Sequence, residues 1–138
     1  MTELLRNLAG RLRAVVANRR ASPRLPARLP CHVSLHEPRA TGRARRPPAL
    51  QVRTRDLSAT GVALVAPAIR INDRYLTDSM LLLHLELPAG QIETVVQSVR
   101  YEQLPPEGGE EGYLIGVRIV EMSDEDRALY EAHLRELQ

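Results

Sequence analysis

Phenylalanine and tryptophan are missing from this chain, and four tyrosines are its only aromatic residues. Any core must therefore be built from Leu, Val, Ile and Ala. Lysine is missing too, since all 19 basic residues are arginine. A single cysteine, Cys31, excludes an internal disulfide framework and a cysteine-rich zinc site. No stretch approaches the ~18 consecutive apolar residues of a membrane-spanning helix. Arg6, Arg11 and Arg13 interrupt any apolar run at the N-terminus, so a secretory signal is not expected there either. The N-terminus is amphipathic, Arg-rich and acid-poor like an organellar transit peptide, but it lacks the serines, and the rest of the chain leads us to expect a cytoplasmic protein. It also lacks a Walker loop, a GxGxxG turn and a GxSxG elbow, which removes the commonest nucleotide-hydrolysing, dinucleotide-binding and esterase templates.

What is present suits one soluble globular domain. The chain has 138 residues, 43% hydrophobic and 26% charged. Its formal charge of +2 hides an asymmetry. Residues 1–48 hold 11 Arg against Glu3 and Glu37, a net +9, whereas residues 49–138 hold 8 Arg against 15 acids, a net −7. A basic N-terminal arm on an acidic body points to an anionic partner near the N-terminus: a nucleotide, a nucleic acid or a membrane surface.

Hydrophobic periodicity divides the chain. Leu4, Leu5, Leu8, Leu12, Val15 and Val16 recur at helical spacing and predict an amphipathic helix over 3–17. Pro23, Pro26 and Pro30 then punctuate an Arg-rich stretch, 18–30, which reads as an extended arm with few apolar anchors. From Cys31 the period is two. Cys31, Val33 and Leu35 alternate with His32, Ser34 and His36, and a polar loop follows over 37–48. Leu50, Val52 and Thr54 alternate next, and a turn at 58–60 leads to Val62, Leu64 and Ala66. A fourth strand carries Leu81, Leu83, Leu85 and Leu87, a fifth runs through 91–103, and a sixth carries Tyr113, Ile115, Val117 and Ile119. Six strands with mostly short connections and no intervening helices predict an antiparallel sheet, closed or nearly so. Ser123 is a good N-cap for a last helix over 123–138, packed through Leu129, Tyr130, His133, Leu134 and Leu137.

Catalytic templates find little support. His32 and His36 are four apart on a strand, a separation of ~13 Å, too far to share a metal. His84 and His133 read as isolated structural histidines, and Cys31 and His32, as strand neighbours, face opposite sides. Two elements remain. Arg20 and Arg24 are two guanidiniums with three residues between them on the proline-rich arm, preceded by Arg19, and Arg24/Arg28 offers a second register of the same spacing. Asp56-Leu57-Ser58-Ala59-Thr60-Gly61 joins one predicted strand to the next, either as a functional turn or as an ordinary Ser-closed hairpin.

In this order and on these elements, the RxxxR arm and the DxSxxG turn resemble the PilZ domain family over residues 18–138. Gly116-Val117-Arg118-Ile119 is similar to that family's last strand, and Ser123–Arg127 to the start of its C-terminal helix. The resemblance implies a mainly β fold, a six-stranded antiparallel β-barrel of split-barrel type with a C-terminal helix, here preceded by the N-terminal amphipathic helix of residues 1–17. On that division 18–30 is the ligand-binding arm, 31–121 the barrel and 123–138 the helix. It further implies a receptor for cyclic di-GMP, a bacterial second messenger, that is not an enzyme and needs no cofactor or metal. By resemblance, Arg20 and Arg24 clamp the ligand, Asp56, Ser58 and Gly61 form the barrel-side wall, and Arg19 stacks on a base.

Such a receptor would change conformation and regulate a protein partner, either as a monomer or as a homodimer. Two alternatives stay open: a nucleic-acid or anionic-surface module using the basic N-terminal half, and a PilZ-like protein adaptor that binds no nucleotide. Residues 1–74 contain none of the aromatics that RNA modules interleave for base stacking, so nucleic acid is not the expected partner.

Overall fold

The computed structural model describes residues 23–36, 48–72, 74–105, 107 and 112–138. The predicted helix 3–17, Arg19, Arg20 and residues 37–47 of the basic loop lie outside the described residues. Among the described residues, nine strands and one helix follow in chain order: β1 (Leu25–Pro26), β2 (Pro30–Leu35), β3 (Ala49–Leu57), β4 (Gly61–Ala66), β5 (Arg70–Ile71), β6 (Arg74–Tyr75), β7 (Met80–Leu87), β8 (Gly90–Gln103), β9 (Tyr113–Met122) and α1 (Asp124–Leu137).

Six of these strands are the predicted ones, and they close. The antiparallel order β3-β2-β7-β8-β9-β4 returns to its start through a β3–β4 pairing. Closure leaves none of the six with a free edge. Alternation fills the interior as the sequence pattern predicts. Leu81, Leu83 and Leu85 of β7, Val33 of β2 and Val96 of β8 are all at most 1% exposed. At the foot of the barrel α1 starts from Ser123, whose hydroxyl accepts the Asp126 N–H at 3.1 Å. The acidic first turn is more than a solvated cap, because the Asp126 carboxylate also accepts the Glu93 N–H of β8 at 3.0 Å.

Three features depart from the sequence reading. The arm is anchored where the sequence suggests few anchors: Leu25, Ala27 and Leu29 pack against the core. Leu25 and Pro26 pair with Leu57 and Asp56 as a seventh, two-residue strand on β3. The agent is Thr54, fully buried on β3. Its hydroxyl donates to the Ala27 carbonyl and accepts the Leu29 N–H at 2.9 Å, while its own N–H donates to the Leu29 carbonyl at 3.0 Å. A threonine read as one more inward residue is the clasp that holds the arm. Arg70–Ile71 and Arg74–Tyr75, where no strand was expected, form the small β5–β6 ladder.

The histidines are not isolated. His84 stands opposite His32 across β2–β7, their rings stacked with centroids 4.6 Å apart, and its Nε2 lies 3.3 Å from the Glu93 carboxylate. His133 faces Glu136 at 3.7 Å through Nδ1, and its buried Nε2 has no hydrogen-bond partner among the described residues.

Candidate functional site

The site is built on an irregularity. Strict alternation along β3 would send Asp56 inward behind Val52 and Thr54. A β-bulge between Thr54 and Asp56 shifts the register, so Leu57 takes the inward position at 0% exposure. Bulges re-aim side chains in this way beside functional sites. The carboxylate of Asp56 instead meets the arm, with one oxygen 3.8 Å from Nη1 of Arg24. The arm strand runs antiparallel beside it, Pro26 opposite Asp56. Arg24 is 61% exposed, so this pair adds little to stability; its interest is that it places a cation and an anion side by side at the mouth of a cavity.

The DxSxxG turn forms the next wall. Ser58 Oγ accepts from the backbone N–H of Gly61 at 3.1 Å and of Thr60 at 3.3 Å, and lies 3.3 Å from the Gly61 carbonyl as a donor. The Ser58 N–H donates to the same carbonyl at 2.9 Å. The serine is thus buried, at 8% exposure, and shapes the turn. The hydroxyl proton is the one part of it that can swing to an incoming acceptor without undoing those N–H contacts. From below, the Tyr130 hydroxyl of α1 donates to the Ser58 carbonyl at 2.7 Å. Burial is the largest influence on this phenol, and it raises its pKa well above the ordinary tyrosine value.

Gly61 is required by a close approach. A Cβ there would stand 2.6 Å from the Val117 carbonyl oxygen of β9, a backbone atom that cannot step aside. No side chain fits without prising β4 from β9, so the fold demands the glycine independently of any ligand.

These residues line a cavity of about 370 Å³. Arg24, Asp56, Ser58 and Gly61 line it together with Arg100, Gly116 and Arg118, the last paired with Gly61 across β4–β9. The structure therefore brings together four of the six residues singled out in the sequence, while Arg19 and Arg20 lie outside the described residues. It adds two arginines that sequence reasoning missed. Arg118 sat inside a quoted motif but was read as strand, and it now donates to Gln97 at 2.6 Å. Arg100 carried no signal, because plain alternation on β8 predicts it inward. A second cavity, of about 450 Å³, lies on the other side of the arm against Arg28 and Arg55, sharing Arg24 and Asp56 with the first. Among the described residues, no group of three or more His, Cys, Asp or Glu is placed to hold a metal ion.

Comparison with known proteins follows the same lines. The family model for the PilZ domain matches residues 18–136. No curated protein matches by sequence. Among solved structures, the chain is similar to the Bacillus subtilis inhibitor of motility MotI/DgrA, with 22% identity and a TM-score of 0.59, over 86% of this chain and 50% of that one. It is also similar to the c-di-GMP-bound PilZ domain of YcgR from Escherichia coli, with 14% identity and a TM-score of 0.62, over 86% and 91% of the two chains. The K. pneumonia MrkH–c-di-GMP complex gives 20% identity and a TM-score of 0.62, over 86% and 51%. The chain thus spans about half the length of the MotI/DgrA and MrkH chains. At these identities the likeness is one of fold, which agrees with the closed barrel and its terminal helix. A family model that covers all but the first 17 and last two residues, on a barrel whose DxSxxG turn faces its arm, settles the kinship: this chain belongs to the PilZ domain family.

Proposed function

We propose that the protein is a receptor for cyclic di-GMP that binds the messenger between its arm and the DxSxxG turn and does not hydrolyse it. The observation that carries this reading is the cavity in which Arg24 and Asp56 stand side by side over the turn of Ser58 and Gly61. Guanine presents N7 and O6 acceptors on one edge, which an Arg fork matches bidentately, and N1–H and N2–H donors on another, which a carboxylate accepts. Adjacent cation and anion on a concave wall meet both needs. The phosphodiesters are anionic and suit Arg and the hydroxyl of Ser58.

Within this reading Arg20 joins Arg24 as the second half of the clamp, Arg19 stacks on a base, and Gly61 lets the ligand lie close to the backbone. Ligand binding draws the N-terminal part of the arm onto the barrel, and this closure is the signal passed to a protein partner in the cytoplasm. Membership of the PilZ family supports the ligand class, as do the c-di-GMP complexes of YcgR and MrkH among the proteins of similar fold. Among the described residues no helix is long and apolar enough to cross a membrane.

The test is isothermal calorimetry against cyclic di-GMP, cyclic di-AMP and a short single-stranded RNA, with product analysis for hydrolysis. Saturable binding of cyclic di-GMP alone, recovered intact, is the expected result. Preference for RNA would replace this reading with a nucleic-acid module, and no binding to any of them would favour an adaptor role.

A further inference from the structure

The far wall of the cavity has the same construction as the near one. On β8, Ile92, Thr94, Val96 and Ser98 alternate inward, each at most 3% exposed, so Arg100 is due inside the barrel next. A second β-bulge, between Ser98 and Arg100, turns it out. Register then aligns four residues in one row across the outer face. Asp56 of β3 pairs with Ala63 of β4, Ala63 with Gly116 of β9, and Gly116 with Arg100 of β8. A carboxylate and a guanidinium, each re-aimed by a bulge, thus begin and end a row of two small residues, of which Gly116 floors the cavity and Ala63 is buried at 3% exposure. Three strand spacings separate their backbones, ~14 Å.

Gly116 makes that floor usable. A Cβ at this position would meet Arg100 Cγ and Nε at 3.2 Å each, so the arginine side chain crosses β9 directly over the glycine, toward Ala63. The three pocket arginines also differ in their engagements. Arg24 faces Asp56 and Arg118 holds Gln97. Among the described residues, Arg100 makes no hydrogen bond or ion pair.

We propose that Arg100 is a ligand-binding residue that grips a phosphodiester on the half of the cyclic dinucleotide remote from Asp56. The assignment rests on the cyclic di-GMP reading above. A ligand with two like halves that places one guanine on Asp56 extends its other half across the cavity toward Gly116 and Arg100, where the unengaged guanidinium is the available cation. Gly116 is then a specificity residue of its own, because it keeps the path of that side chain open.

Calorimetry with cyclic di-GMP tests this on the full chain, with circular dichroism to confirm the fold of each variant. Arg100→Ala is expected to weaken binding about 10- to 100-fold, the range of a hydrogen bond to a charged group. Arg100→Lys keeps the charge and should recover part of the loss. The gap between wild type and Arg100→Ala should narrow as salt rises from about 0.05 to about 0.5 M, because an exposed phosphate contact is screened, whereas a packing role would leave the gap unchanged. Gly116→Ala should weaken binding in the wild-type background and have no further effect in Arg100→Ala, the non-additivity of two residues acting through one contact. If wild type binds and Arg100→Ala binds within about twofold of it, the role of Arg100 is overturned while the receptor reading stands. If wild type does not bind cyclic di-GMP, both fall.

Discussion

Asp56, Ser58 and Gly61 belong to one hexapeptide, yet their substitutions should separate cleanly. Asp56 sits on the outer face of a bulge, paired with the exposed Arg24, so Asp56→Ala should cost about 1.5–3 kcal/mol of cyclic di-GMP affinity and leave thermal unfolding nearly unchanged. Calorimetry paired with circular dichroism checks both halves. Unchanged affinity in a folded variant would remove the guanine-acceptor role. Gly61→Ala should behave in the opposite way. The added methyl meets the Val117 carbonyl at 2.6 Å, and the strain of parting β4 from β9 should lower stability by about 1–3 kcal/mol, read as a lower urea midpoint. At the same scale the arm register is testable: Arg24→Ala should damage binding more than Arg28→Ala, because Arg24 lines the cavity above the DxSxxG turn, whereas Arg28 lines the second cavity.

At the scale of elements, the binding turn and the arm are both held from within the fold. Tyr130 of α1 is 1% exposed and its hydroxyl reaches the Ser58 carbonyl, so the terminal helix props the turn from beneath. Tyr130→Phe keeps the ring and deletes the donor. It should cost about 1–3 kcal/mol of stability, through a buried carbonyl left short of a partner, and should weaken cyclic di-GMP binding by loosening the turn. Loss of stability with unaltered affinity would mean that the helix supports the barrel but not the site. The arm has its own support in Thr54. Thr54→Val preserves shape but strands the Leu29 N–H and the Ala27 carbonyl; amide hydrogen exchange at 27–29 should rise while exchange across β7 and β8 stays slow.

For the whole molecule, Cys31 reports on barrel integrity. It is 1% exposed, and burial, with a smaller push from Glu86, raises its thiol to about 12 from an ordinary 9.0. A protonated, buried thiol is a poor nucleophile, so Cys31 should resist alkylation at neutral pH and react only on global opening. Alkylation followed by mass spectrometry along a urea series should track loss of the circular dichroism signal; fast labelling of native protein would show that the β2–β7 side opens locally. The same proton is held more tightly in the folded state than in the unfolded one. This contribution to stability is therefore full below about pH 9 and declines as pH rises toward about 12. Tyr130, raised for the same main reason, works in the same direction.

Sequence periodicity determined much of this protein by itself. An alternation of two places Leu81, Leu83 and Leu85 on one face wherever the strand goes, and six such strands with short connections have few ways to bury their faces other than closing. Ser123 announced its helix because a cap is a local hydrogen bond between near neighbours. The two motifs were legible for the same reason, as fixed spacings of reactive groups on single segments. What only the tertiary structure decided is wherever alternation breaks or a distant strand sets the condition. The bulges at Asp56 and Arg100 each invert the direction that period two assigns, and nothing in the neighbouring residues marks them. Gly61 and Gly116 are glycines because of what stands across from them, the Val117 carbonyl and the Arg100 side chain, separated from them in sequence by 56 and 16 residues. The stacking of His32 on His84, and the clasp of Thr54 on the arm, are likewise products of register. Register is fixed by the burial of whole faces together, so the charged wall opposite Asp56 comes into view only once the barrel is closed.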